Sequence, residues 1–484
     1  MMKLFYSIIL CLLLLFVLTQ PGFSQNSQER ADTEQYEENE QASAPDESPA
    51  EVKSGTIKRF LIASGETLLS NLVLFTYNIS ILGETWWAIP TYDSVYNNFT
   101  EPWMWEEGEG FMVNHLGHSI LGNYHYNAGR VNGFNFYQSA MFTMLGSAAW
   151  EAVGENAYAS INDFIVSSIG GMTMGEIIYR LYLETTSAGV PAFFRFILNP
   201  IASFHSLLTG WEPPDYGRNI HQFQTYMGAS FVNIDHSIFN EVEEEVYSFR
   251  GFLPEMGIKI IYGNPFLQES YTPYDHFELI FNVGVHLGKY VSLRLISDGY
   301  LFSFCPVDSE KNMMSTGLSL HLDYTNQGDF DGNCATIDHF SNALDWTIKY
   351  QHMFSEDFAF QIKSHAGFTF FGVSEYPSPP YSYTVKNYGF GTNEKLYIIL
   401  DHKKLGKLEA SIFHYTIWSN PNTSNLSKGT VNFIFTELTY SYFFNKHLSV
   451  NLNGYFAWEW GRFGNYPDTN KSNKSAKVYV AWDI

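Results

Sequence analysis

The stretch NHLGHSILGNYHYNAGR, residues 114–130, gathers three histidines, three glycines, two tyrosines and an arginine. If it is helical, His115, His118, Gly122, His125 and Gly129 recur at steps of three and four and share one stripe. Further along, Glu151 and Glu155 are one helical turn apart, and Asp163 and Glu176 follow. Imidazoles facing carboxylates across helices are what a metal site in a bundle uses. The same groups serve as general acid and base, with Arg130 holding an anion. The spacing is not H-E-x-x-H, and no paired Glu-x-x-His is present. A plainer reading has these groups hydrogen-bond and ion-pair with one another in a partly apolar bundle. That packing reading is favoured; metal binding and catalysis stay unassigned. The candidate polar cluster is His115, His118, Arg130, Glu151, Glu155, Asp163 and Glu176. His115, His118 and Arg130 are expected to converge with Glu151, Glu155 and Asp163.

The elements that must position these residues lie in a chain with an export signature. Lys3 precedes an apolar run from Leu4 to Leu18, and the small residues Gly22 and Ser24 follow. This reads as a cleaved secretory signal peptide over residues 1–24, because the run is too short to span a bilayer. Residues 25–55 carry nine acids against two bases and read as a disordered acidic tether. The net charge of −23, with no basic cluster, excludes nucleic acid as a partner. After the signal, only Cys305 and Cys334 remain, enough for one bridge in an oxidising compartment but no disulfide framework.

Residues 56–210 read as a helical module of three or four elements. One helix covers 56–82, with a break near Gly65, and a second covers 136–158. A third starts at Ser160, which is placed to cap it, with Asp163 at the third helical position. Ser167, Gly171 and Gly175 recur every four residues, which lets another helix approach closely.

From residue 219 to 484 the period is two. Phe277, Leu279, Phe281, Val283 and Val285 alternate with Glu278, Asn282 and His286. Phe358, Phe360, Ile362, Ala366 and Phe368 alternate with Gln361, Lys363 and His365. Segments of some 10–15 residues, aromatics at their ends (Trp418, Trp458, Trp460) and a terminal strand AKVYVAWDI suit an outer-membrane β-barrel. Aromatics at 17% against 16% charged residues fit it too. Turns are expected at 288–289, 355–357, 403–407 and 445–446, with longer loops at 325–338, 372–387, 419–429 and 461–474. The fold class is therefore α+β: an N-terminal helical module followed by a C-terminal antiparallel transmembrane β-barrel of about twelve strands. Such a barrel encloses little more than one helix. Most of the module is thus expected outside the lumen, at the periplasmic mouth or against the inner leaflet. Inward-facing His286, Arg294, His321, Asp323, Lys363, His365 and Glu459 suit a polar lumen before they suit a site.

The blocks NHLGHSILGNYHYNAGRVNGFNF, WEAVGEN and SINDFIVSSIGGMTMGE together resemble a bacterial family known as domain of unknown function 3943. The matching positions are Asn114, His115, His118, Gly122, Arg130, Gly133, Trp150, Glu151, Glu155, Ser160, Asp163, Gly171, Gly175 and Glu176. The resemblance spans roughly residues 65–210 and departs at Ser119, where proline often follows the histidine. It implies an outer-membrane protein with this segment ahead of a barrel, and it implies no reaction.

Two functions follow as expectations. One is an envelope scaffold or pore whose helical module docks at or gates the periplasmic mouth. The other is a lipid-modifying enzyme, an acyl hydrolase or deacylase. Outer-membrane lipid is the expected partner, other envelope proteins are further candidates, and oligomeric state is open. With no P-loop, no Cys-x-x-Cys and no G-x-S-x-G in the chain, no cofactor is expected.

Overall fold

The computed structural model describes residues 49–484 apart from 82, 84, 106–109, 215–218, 240–243, 267–269, 287–289, 329–334, 378–383, 420–428, 465–466 and 484. The signal peptide, most of the acidic tether, Cys334 and the turn at 288–289 lie outside the described residues. The helical module contains α1 Pro49–Ser80, α2 Tyr92–Thr100, α3 His118–Val131, α4 Phe136–Val153, α5 Gly171–Ser187, α6 Ala192–Leu198 and α7 Pro200–Thr209. Short π-helical turns, Val113–Gly117 and Val166–Gly170, lead into α3 and α5. There are more helical elements than the three or four expected, because α2, α6 and α7 are too short to show a clear period. The expected break at Gly65 does not occur. Nothing lies within 4 Å of a Cβ built there, and α1 runs straight through. It also begins at Pro49, inside the stretch read as tether.

Among the described residues, twelve antiparallel strands close into a barrel, each paired with its sequence neighbours and β1 with β12. They are β1 Ile220–Phe239, β2 Glu244–Tyr262, β3 Phe277–His286, β4 Tyr290–Asp308, β5 Asn312–Gly328, β6 Ala335–Ser355, β7 Phe358–Pro377, β8 Thr384–His402, β9 Gly406–Ser419, β10 Gly429–Phe443, β11 Leu448–Phe463 and β12 Asp468–Asp483. The longest, β6, has 21 residues and exceeds the expected 10–15. Backbone pairing continues past the apolar alternation into polar ends. The segment expected as a loop at 461–474 is instead largely β11 and β12, where Lys471 and Asn473 pair with Glu459 and Ala457.

Ion pairs between non-adjacent strands identify the lumen. Lys349 and Lys363 both reach Glu278, Lys259 reaches Glu409, and Arg294 meets Glu437. Their parity fixes the opposite residues as outward. On β9–β12 many outward side chains, among them Ile412, Leu438, Leu452 and Val480, are exposed apolar groups. Exposed aromatics fall into two belts, Phe390, Trp418 and Trp458 towards one end and Phe354, Tyr442 and Trp482 towards the other. An apolar outer band between aromatic girdles around a polar lumen is the build of an outer-membrane barrel.

On β2–β8 part of the outward wall is covered, while Phe302, Trp346, Ile348, Phe368 and Ile398 stay exposed. Ile260, Phe277, Val283, Leu293, Leu322, Tyr324, Phe340, Val373 and Tyr388 are all buried. The groups that cover them belong to the module and to the 263–276 connection. Phe111 packs on Tyr324 (ring centroids 5.6 Å), His115 on Phe340 (5.0 Å) and Trp105 on Tyr388 (6.4 Å). Val166, Ile165 and Met174 join the same apolar cluster, while Tyr126, Phe136 and Tyr179 share another with Tyr262, Phe277 and Leu320. The module therefore lies alongside the barrel, against its outer wall. Only its lower end reaches the mouth.

Candidate functional site

Helix α3 is the axis of the module, and nearly all of it is buried although half its residues are polar. It crosses α5 at close range. A Cβ on Gly122 would run into the Ser167 carbonyl and the Gly171 Cα, and one on Gly171 into the Gly122 backbone. This small-residue crossing brings polar side chains from several helices against α3.

At the start of α3, His118 is held between two groups of the α5 approach. Its Nδ1 lies 3.1 Å from Ser167 Oγ, and its Nε2 lies 3.5 Å from Asp163 Oδ1. Ser167 and Asp163 are fully buried, and His118 is 9% exposed. Ser160 caps the turn as expected, its Oγ accepting from the Asp163 N–H at 3.2 Å. The reciprocal capping bond comes from another helix: Glu151 Oε2 accepts the Ser160 N–H at 2.8 Å. Asp163, Glu155 and His118 all lie close enough to buried Glu151 to act on it electrostatically. Asn98 on α2 closes this group, donating to the Glu151 backbone carbonyl at 3.0 Å. His115 is also buried here, but it turns to the barrel: its Nδ1 meets the Phe111 carbonyl at 2.8 Å and its ring packs on Phe340.

Arg130 and Glu176 form a different group. Twelve residues of helix separate Arg130 from His118, about 18 Å at the helical rise. Arg130 Nε lies 2.9 Å from Glu176 Oε2, and Arg180 Nε lies 2.8 Å from Glu176 Oε1. The Tyr126 hydroxyl donates to Glu176 Oε2 at 2.8 Å, and the Arg130 guanidinium stacks over Tyr179 at 4.5 Å. Arg180 continues outward, donating to the Pro273 carbonyl at 2.7 Å and pairing with Asp275 at 3.0 Å. The expected convergence thus divides in two. His118, Glu151, Glu155 and Asp163 stay together, and Arg130 joins Glu176 instead.

Sequence reasoning missed a third group. His205 Nδ1 meets Glu66 Oε1 at 2.7 Å, and Asn132 donates to Glu66 Oε2 at 2.7 Å. His125 Nε2 lies 2.8 Å from Asn71 Oδ1. The available signal was a polar stripe on α1, Glu66, Thr67, Ser70, Asn71 and Asn78, at helical spacing. Ser167 was read only as a small packing residue, and Arg180 went unread. Among the described residues, no three His, Cys, Asp or Glu side chains come together as metal ligands would.

The barrel holds a cavity of about 600 Å³ at the end where β1 begins and β12 finishes. His221, Lys259, Glu278, Lys349, Lys363 and Glu409 line it, and so do Asn264, Pro265, Phe266 and His276 of the 263–276 connection. His276 Nε2 lies 2.6 Å from Lys349 Nζ. Further along the lumen, Tyr397, Phe413, Tyr415, Phe433 and Phe435 form a packed aromatic cluster. Cys305 Sγ lies 3.3 Å from the Pro265 carbonyl.

No curated protein matches the chain. Among solved structures, the Pseudomonas putida toluene transporter TodX is similar at 9% identity, covering 58% of this chain and 93% of its own, with a TM-score of 0.23. A Pseudomonas aeruginosa FadL homologue is 7% identical over 55% of this chain and 90% of its own, with a TM-score of 0.25. The outer membrane protease OmpT from Escherichia coli is 7% identical over 56% and 99%, with a TM-score of 0.21. Superpositions this loose carry no inference about activity. Residues 102–201 match the family model described as a domain of unknown function, DUF3943, and this stretch precedes the closed twelve-strand barrel.

Proposed function

We propose that the helical module acts as an envelope scaffold fixed to the barrel wall and controls access to the lumen at the periplasmic mouth. The observation that carries this is the link through Arg180. Buried Glu176 anchors Arg180, which grips Pro273 and Asp275. The same connection presents Asn264, Pro265, Phe266 and His276 to the cavity. Glu184 of α5 also accepts the Asn219 N–H at 2.8 Å, just where the chain enters β1. A shift of α5 is therefore passed directly to the residues at the mouth. The ion pairs that cross the lumen and the aromatic cluster beyond them support reading this state as closed. Reconstituted Arg180→Ala should release the connection and raise solute flux or single-channel conductance above wild type. Identical conductance in the two proteins would remove the gating claim.

A lipid-modifying enzyme is the second reading, favoured by His118 standing between a hydroxyl and a carboxylate. A nucleophile, a base and an orienting acid have that arrangement. Ser167 is fully buried beneath the α3 crossing, which is why the scaffold reading is preferred. Labelling of wild type but not Ser167→Ala by a serine-directed phosphonate, with loss of lipid-ester hydrolysis in the variant, would reverse that preference.

A further inference from the structure

The module is built the opposite way round from a water-soluble bundle. Its interior carries Glu66, His118, Asn123, His125, Asn127, Glu151, Asp163 and Glu176, all buried. Its outer surface is apolar. On α1, Leu61, Leu68, Leu72 and Val73 are exposed, and no charged residue follows Glu66 before the helix ends at Ser80. Residues Gly55–Ser80 form a helix long and apolar enough to cross a membrane, and little of it is covered. On α4, Tyr137, Met141, Met144 and Leu145 are exposed, and the helix's one charged residue, Glu151, points inward. Leu207 and Leu208 of α7 complete the surface.

This surface continues the barrel's own apolar band. The module covers the wall from Tyr262, at the last position of β2, to Tyr388, near the opposite end of β8. It thus stands at the height of the membrane-facing belt. The outer wall beneath it also carries charges that are buried, unlike the exposed outward pair Glu394–His414 on β8 and β9. By strand parity Asp338, Glu375 and Lys386 point outward, and all three are buried. Asn326 donates to Asp338 at 2.7 Å, and Lys386 lies close enough to His115 to act on it electrostatically. Charges on a lipid-facing wall are costly, and here the module shields them.

We infer that the outer face of the helical module is a lipid contact, with α1, α4 and α7 set among acyl chains beside the barrel. The protein then carries an intramembrane helical bundle that gathers Glu66, Glu151, Asp163 and Glu176 in its interior, as charged groups in a bilayer require. The inference rests on the reading of the barrel as membrane-spanning.

The test is site-directed spin labelling of the full chain, in a background with Cys305 and Cys334 replaced by serine, reconstituted in phosphatidylcholine vesicles. Nitroxides at Leu72, Met141 and Leu208 are compared with one at Leu452 on the barrel's exposed face and one at Lys403 in an exposed turn. Oxygen and a water-soluble nickel chelate report the surroundings. Lipid gives fast collisions with oxygen and slow ones with nickel. Water gives the reverse, and burial against protein slows both. The three module sites should match Leu452, with an oxygen-to-nickel ratio well above that at Lys403. Ratios like Lys403 would place the module in water and overturn the inference. Low collision rates with both probes would put a second copy or another protein on this face, and overturn it equally. A water-like value at Leu452 as well would overturn the membrane reading of the whole chain.

Discussion

Arg180 Nη2 lies 3.0 Å from Asp275 Oδ1, and this pair joins the helical module to the barrel mouth from outside the wall. Its two ends differ in burial. Asp275 is one-third exposed, whereas Glu176, which holds the other face of Arg180, is completely buried. Asp275→Ala should therefore cost about 1 kcal/mol or less, as partly solvated ion pairs do. Glu176→Ala leaves Arg130 and Arg180 without their common carboxylate and should cost about 3–5 kcal/mol. Heat-modifiable gel mobility, read as a melting curve for each variant, measures both. Equal losses would mean that Glu176 is not the anchor.

The α3–α5 crossing should tolerate no side chain. Gly122→Ala places a methyl group against the Ser167 carbonyl and the Gly171 Cα, which forces the helices apart. Overpacking of this kind costs about 1–3 kcal/mol. Gly65→Ala is the control, because α1 has open space there, and better helix propensity should stabilise it by up to about 1 kcal/mol. Opposite signs in thermal stability are expected; matching signs would place the crossing elsewhere.

His118 and Asp163 form a coupled pair at 3.5 Å. Each single alanine change should destabilise the module, and the double change should cost less than the sum of the two. Zinc should leave the wild-type melting temperature unmoved, since among the described residues no third ligand joins the pair. Strict additivity would show that the two do not interact, and a zinc-dependent rise lost in His118→Ala would reinstate a metal.

Much of the barrel was legible because alternation is a strong signal wherever one face meets apolar surroundings. Leu452 and Tyr324 show where that signal stops. Both point outward and both are apolar, yet one is exposed and the other lies under Phe111. Acyl chains and a helix face accept the same side chains, so the pattern does not tell lipid from protein. Charge at an outward position does not tell them apart either: Asp338, Glu375 and Lys386 are buried, whereas Glu394 and His414 pair in the open. The pieces of the polar cluster were readable one by one, but their grouping was not. Helical phase aligns Arg130 with His118 only loosely, and the 18 Å or so of rise between them decides the partners. His205 meeting Glu66 is a contact between the ends of the module and leaves no local trace.

The seating of the module on the outer wall is tested most directly by strand parity. Tyr324 points outward beneath Phe111, and the adjacent Thr325 points into the lumen. Phe111→Cys paired with Tyr324→Cys, or with Thr325→Cys, is oxidised in intact outer membranes, with Cys305 and Cys334 replaced by serine. An intramolecular disulfide is expected with position 324 and none with 325. A bond at 325 and not at 324 would put the module inside the barrel and overturn its seating on the outer wall.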